Sequence, residues 1–361
     1  MRGVVTDAEP ETVAGRPAQP VAIDPLRYPA WDSLLAAHPE SSFFHGSAWA
    51  RVLHETYAHQ PAYFCRFAAG QLAALLPVME VSSRWTGRRG VSLPFTDVCV
   101  PLGGGEGDGH ALYDEALAHG RRGGWRYLEC RGPVPGCPGT SPSLAFYGHV
   151  IDLEPGPDAL FNGLEGAVRR GIRRAEEERL QIEFGTDLES VRIFYALHCQ
   201  TRSRHGLPPQ PFRFFENIAC HVLNQGQGGV FIARAGLAPV AAAVFFHHGR
   251  QALYKFGASD YAFQRLRPNN LLMWEAMKRY ARQGFRRLHL GRTSLGNEGL
   301  RRFKLGLGAA EHRIEYSKYD FSRQGFVVDT DRAEGWFNRV FRCLPLPLLR
   351  LAGQALYPHL S

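Results

Sequence analysis

Lysine is nearly missing from this chain. Of 42 basic residues only Lys255, Lys278, Lys304 and Lys318 are lysines. Almost every cation is therefore the planar fork of arginine, which suits two-point contact with carboxylates and phosphates. Long apolar runs are missing too: 45% of the 361 residues are apolar, yet no stretch approaches the roughly 18 uncharged apolar residues that a membrane-spanning helix needs. The first twenty residues, MRGVVTDAEPETVAGRPAQP, hold acids and prolines where a secretory signal would have its apolar segment. They read as a disordered leader over 1–22, and a cytoplasmic location is expected. The seven cysteines are scattered, with no C-x-x-C pair and no histidine set at ligand spacing. This argues for free buried thiols and against a metal centre. No G-x-S-x-G elbow and no recognised Cys-His spacing marks a covalent nucleophile.

What is present begins with charge. The formal net charge is +8, which suits an anionic partner such as a phosphorylated substrate, a tRNA or an acidic membrane surface without selecting one. The cluster RRGIRRAEEER (169–179) mixes both signs at helical spacing and reads as a solvated helix face. The tail GWFNRVFRCLPLPLLRLAGQALYPHL (335–360) is apolar, aromatic and basic, without an acid after Glu334. It suits either docking on the protein's own surface or a peripheral membrane contact.

Two stretches follow one plan, as an internal duplication would. In the first, YFCRFAAGQLAALLPVMEV (63–81) predicts a β-hairpin turning at Gly70, followed by a helix over 111–122 and the strand WRYLECRG (125–132). In the second, GVFIARAGLAPVAAAVFFHH (229–248) predicts a hairpin turning at Gly236. The strand QALYKFGAS, a helix over 270–284 and the strand FRRLHLGR (285–292) follow it. Between the two lie expected helices over 161–180 and 188–204, the latter stopped by Gly206 before two prolines. A hairpin followed by strand, helix and strand resembles the GNAT acyltransferase core. The expectation is an α/β protein of two GNAT-like domains, each a mixed, twisted sheet flanked by helices, packed around a central cleft. The expected division is 1–22 leader, 23–150 first domain, 151–325 second domain and 326–361 tail.

In order and spacing, VSLPFTDV (91–98), RRGIRRAEE, TRSRHGLPPQP (201–211), PNNLLMWEAM (268–277), LGRT (290–293) and FKLGLG (303–308) resemble the FemAB/FemX group of tandem-GNAT aminoacyltransferases. The exopolysaccharide- and exosortase-associated FemAB-like branch is the nearest resemblance, and it covers roughly residues 40 to 320. It implies cytoplasmic transfer of an acyl or aminoacyl group to an amine in cell-envelope, peptidoglycan or exopolysaccharide biosynthesis. No cofactor is tightly bound on this reading. The donor is an aminoacyl-tRNA or an acyl-CoA, and the acceptor is an amine, free or lipid-linked. The long coiled-coil arm that some peptidoglycan members use to engage tRNA is missing here. An acyl-CoA-dependent N-acyltransferase and a non-catalytic GNAT-pair binding module are the competing readings.

An activated ester or thioester needs positioning and oxyanion stabilisation more than a nucleophile. Asp97, in the apolar context SLPFTDVCV, is the candidate base. Arg292, with Thr293 after it, is the candidate clamp for a phosphate or carboxylate. Where acyl-CoA-using GNATs carry a glycine-rich phosphate loop, this chain reads AFQRLRPNNLLMW (262–274), with no glycine. Arg265 and Arg267 are therefore the candidate donor-binding residues, through side-chain forks, and Asn270 either caps the following helix or meets substrate. Glu275 is weighed between the cleft and a neighbouring strand, and Arg204 enters through the resemblance in TRSRHGLPPQP. FKLGLG alternates like a strand. The FemX-like members place a Phe-Lys pair on a late strand, so the resemblance makes Phe303 a substrate contact and Lys304 a catalytic cation reaching the cleft.

Overall fold

The structure is a computed structural model, and it describes residues 19–103, 106–134, 141–329 and 336–360. Most of the expected leader and Cys137 lie outside the described residues. The chain forms two compact units, one of residues 1–145, 315–330 and 358–361, the other of 146–314 and 331–357. They are not consecutive along the chain, unlike the expected division at 150 and 325. Strand β15 (Ala310–Asp320) carries the chain from the second unit back into the first, where Ser317–Asp320 pair with Cys130–Tyr127.

The first unit contains β1 (Val21–Ile23), α1 (Trp31–Ala36), α2 (Ser47–Tyr57), β2 (Gln60–Pro61), β3 (Tyr63–Ala68), β4 (Gln71–Leu76), β5 (Met79–Ser83), β6 (Gly87–Ser92), β7 (Leu102–Gly103), α3 (Glu106–Gly123) and β8 (Trp125–Cys130). The expected hairpin is β3–β4, and Ala69 and Gly70 at its tip both take positive φ, 49° and 75°. A glycine there avoids the penalty a side chain meets in that region. Strand β6 pairs parallel to β8, with α3 as the crossover. The apolar side of α3 packs Leu112, Tyr113, Ala116 and Leu117 with Phe64, Leu76, Trp125 and Leu128.

The second unit contains β9 (Leu144–Asp152), α4 (Pro157–Gly163), α5 (Gly166–Glu177), β10 (Gln181–Gly185), α6 (Leu188–Arg204), α7 (Phe212–His221), β11 (Gly228–Ala235), β12 (Ala238–His248), β13 (Gln251–Ser259), α8 (Pro268–Arg282), β14 (Arg287–Ser294) and α9 (Glu298–Gly306). After β15 come β16 (Gly325–Phe326) in the first unit, then α10 (Trp336–Arg342) and α11 (Leu346–Leu356) in the second. The strands run in the order β10, β11, β12, β13, β14, β9. All neighbours are antiparallel except β13 and β14, joined by α8. Trp274, Met277 and Tyr280 of α8 pack on Phe231, Phe245 and Leu288, so this helix lies against the sheet through its buried face. Helix α6 starts as expected, because the Asp187 side chain accepts from the Ser190 amide at 2.7 Å.

Two local expectations fail. The single helix over 161–180 is broken after Gly163, and α5 restarts at Gly166. The stretch expected as a strand, FKLGLG, lies in helix α9 and its end. Asn297 accepts from the Leu300 amide at 3.1 Å and caps that helix. Leu300, Phe303 and Leu307 then recur at helical spacing, which overrides the short alternation.

Candidate functional site

Helices α5, α8 and α9 of the second unit line a pocket of about 500 Å³. Arg170 and Arg174 reach it from α5, Arg267 and Asn270 from the start of α8, and Arg302 and Phe303 from α9. α5 and α8 approach closely at Gly171, where a Cβ would stand 3.1 Å from the Asn270 side chain. Arg174 donates from Nε to the Arg265 carbonyl at 3.0 Å and so ties α5 to the turn before α8. Gly306 accepts from the Glu165 amide at 2.9 Å, joining the start of α5 to the end of α9.

At the head of α8, Arg267 occupies the N-cap position with φ 57° and no side chain caps the helix; Pro268 fills the first turn. The helix start therefore presents amides and the positive end of the dipole where four arginines already converge. Glu165 is the one acid on the lining. Guanidinium forks can bind phosphates without a glycine-rich loop.

The sheet supplies the second feature. β13 and β14 pair only over Gln251–Leu253 with Arg287–His289, and beyond Leu253 the edge of β13 is not bonded to β14. β13 itself bulges at Lys255, since Val244 faces Phe256 while Phe245 faces Tyr254. β14 bulges in turn, with Leu290 and Gly291 opposite a single β9 residue, and Gly291 takes φ 70°. Backbone N–H groups of a strand opened in this way can meet a developing oxyanion.

Lys304 acts on that second bulge. The residue is 3% exposed, and its ammonium donates to the carbonyls of Gly291 and Arg292, each at 3.0 Å. The expected strand lysine reaching a cleft is thus corrected: Lys304 points from α9 into β14, while its neighbour Phe303 lines the pocket. Beside it, His149 Nε2 lies 3.1 Å from Glu311. Arg301 in turn holds Glu311 by two bonds of 2.8 and 2.9 Å, with its guanidinium over the Tyr147 ring. Burial first and the Lys304 charge second push the His149 pKa down, against Glu311. Its Nδ1 has no hydrogen-bond partner.

Of the residues singled out from sequence, the pocket gathers Arg267, Asn270 and Phe303, with Arg265 bound to Arg174 at its edge. Arg292 is not on this lining; its guanidinium sits 4.3 Å over Phe146. Thr293 is buried, with no partner for its Oγ1. Glu275 turns to Lys278 on its own helix at 2.6 Å, and Arg204 lies over Tyr261. Asp97 belongs to the first unit, where its carbonyl accepts from the Tyr316 hydroxyl at 2.5 Å. Sequence reasoning passed over Arg170, Arg174 and Arg302. The first two stood in a run read as a solvated face, and their spacing of four was the signal that they share one side of α5.

The sheet order, with one parallel pair spanned by a helix and opening beyond three residues, is the layout expected of a GNAT-like domain. Residues 165–313 match the family model of the GNAT acetyltransferase domain. The arginine-lined pocket and the opened β13–β14 edge both lie within the matched residues. The fold as a whole is similar to solved tandem-GNAT structures. FemX aligns with a TM-score of 0.67 at 14% identity, covering 85% of this chain and 98% of that one. The C-terminal domain of a putative lysylphosphatidylglycerol synthetase from Agrobacterium fabrum aligns at 0.53 and 13% identity, covering 81% and 91%. A tandem GNAT protein from the clavulanic acid biosynthesis pathway aligns at 0.52 and 13% identity, covering 84% and 98%. No curated protein matches the sequence.

Proposed function

We propose that this protein transfers an acyl or aminoacyl group from a phosphate-bearing donor to an amine, in cell-envelope or exopolysaccharide biosynthesis. The observation that carries the reading is the convergence of Arg170, Arg174, Arg267 and Arg302 on one pocket at the start of α8. The GNAT-domain match and the FemX-like fold support acyl or aminoacyl transfer. In this reading the arginines fix the donor's phosphates and the activated acyl carbon lies along the opened edge of β13. An amine attacks that carbonyl, backbone N–H groups stabilise the oxyanion, and the ester or thioester bond breaks as the amide forms. The amine's proton passes to a carboxylate or to water.

Incubation of the purified protein with an acyl-CoA or a charged tRNA, together with amine acceptors, tests this by mass shift of the acceptor. Absence of transfer from both donors overturns it. Arg173 discriminates the donors, because it is exposed on α5 but is not on the pocket lining. A tRNA is an extended polyanion whose affinity counts every neutralised phosphate. Arg173→Glu is therefore expected to weaken use of charged tRNA and make its salt dependence shallower, while leaving acyl-CoA use unchanged.

A further inference from the structure

The segment after residue 335 contains no carboxylate side chain and carries Arg339, Arg342 and Arg350. Its helices α10 and α11 pack on the second unit through one face. Leu349 is fully buried. A Cβ on Gly353 would come within 2.0 Å of the Pro209 carbonyl oxygen, so α11 touches backbone there. Tyr357 is pinned at the end of α11, its hydroxyl donating to the Pro208 carbonyl at 3.2 Å and accepting from Arg202 at 2.8 Å. α10 is held in the same way, since a Cβ on Gly206 would strike the Asn338 carbonyl. With the inner face fixed, neither helix can roll its outer face inward.

That outer face is apolar where a surface helix would carry polar groups. Leu348 and Leu351 of α11 are 51% and 59% exposed, and Ala355 follows on the same stripe at i+7. Val340 of α10 is 50% exposed between the exposed Arg339 and Arg342. Trp336 and Phe337, also aromatic in sequence, have side chains outside the described residues. Aliphatic tips ringed by arginines and without acids fit a surface that is apolar beneath and negative above. A second copy fits poorly, because a two-fold interface would set the same arginines against one another.

We propose that the outer face of α10 and α11 rests on an anionic phospholipid bilayer. Its leucines and valine enter the headgroup boundary and its arginines contact lipid phosphates, independently of the donor pocket. No helix among the described residues is long and apolar enough to cross a membrane, and this contact is peripheral.

Vesicle sedimentation of the full chain tests it, with phosphatidylcholine vesicles compared with vesicles containing phosphatidylglycerol. Binding to the anionic vesicles is expected to exceed binding to the neutral ones by roughly tenfold or more, as several basic residues at a charged interface give. Arg339→Glu with Arg342→Glu should abolish that preference. Leu348→Glu with Leu351→Glu should release the protein from both vesicle types. Both pairs alter exposed side chains, so thermal melts matching the parent are expected. Arg170→Glu with Arg302→Glu should bind as the parent does, which separates this surface from the pocket. Failure of the parent to bind anionic vesicles, or parental binding by the Arg339/Arg342 pair, overturns the proposal. A dimer in light scattering that the leucine variants dissolve overturns it in favour of a second copy.

Discussion

At position 304 a buried ammonium takes the place of a backbone donor, bonding two successive carbonyls where β14 breaks its ladder. A lysine suits this task because its compact charge rotates three donors onto closely spaced oxygens, whereas a guanidinium fork is wider and flat. Lys304→Met removes both bonds and leaves two buried acceptors unmet. Expected is a loss of about 2 kcal/mol, or roughly 4–8 °C in melting temperature. Lys304→Arg should not restore it. An unchanged melting temperature with turnover lost would return Lys304 to the catalytic role expected from its sequence context. The pocket arginines behave otherwise, since they carry little fold energy at an exposed rim. Arg170→Glu with Arg302→Glu should raise the donor KM on the order of tenfold or more, with a smaller effect on kcat, as loss of ground-state binding does. Initial rates at varied donor concentration check it.

Among the elements, β14 carries the bulge that Lys304 braces. Gly291 holds φ 70° between His289, paired with Val150, and Arg292, paired with Gly148. Gly291→Ala would put a Cβ into the left-handed region at a cost of about 1–2 kcal/mol. The same change would turn the carbonyls away from Lys304. Expected is a modest fall in melting temperature, with a larger loss of turnover if the opened β13–β14 edge receives the acyl carbonyl. Equal turnover in this variant would separate the bulge from the reaction. α9 couples the two features, since Phe303 lines the pocket while Lys304, one position on, braces β14.

Across the whole molecule, several histidines are buried neutral. Burial lowers His198 to about 3, aided by Arg202 and opposed by its bond to Gln210. His289 falls to about 4 by burial, with His312 and Arg287 adding to it. His59 falls to about 4 by burial, against its bond to the Pro358 carbonyl. Each folded value lies below the ordinary 6.5, so the unfolded chain binds more protons between the two. The stability they protect is complete above about pH 6.5 and is lost as pH falls toward 4 and then 3. Thermal melts from pH 7.5 down to 4.5 should show a steep, cooperative drop beginning below about 6.5. His289→Gln, whose side-chain amide can still donate to Gln251, should make the drop shallower. A melting temperature independent of pH over that range would contradict these burials.

Much of the architecture could be read from sequence, because it rests on local rules. Gly70 and Gly236 mark hairpin turns, Asp187 caps α6, and the recurrence of hairpin, helix and strand shows the doubled GNAT-like plan before any contact is known. The basic character of the segment before α8 was legible in Arg265 and Arg267, of which Arg267 lines the pocket. What the sequence could not decide was direction in space. Whether FKLGLG alternates as a strand or winds as a helix depended on the Asn297 cap and on the apolar residues that the sheet could accept. Whether Lys304 faced solvent or backbone depended on a bulge thirteen residues earlier. The arginines of α5 look like a solvated face in one dimension. They become half of a pocket where α5 approaches α8 closely at Gly171, which sets them opposite Arg302.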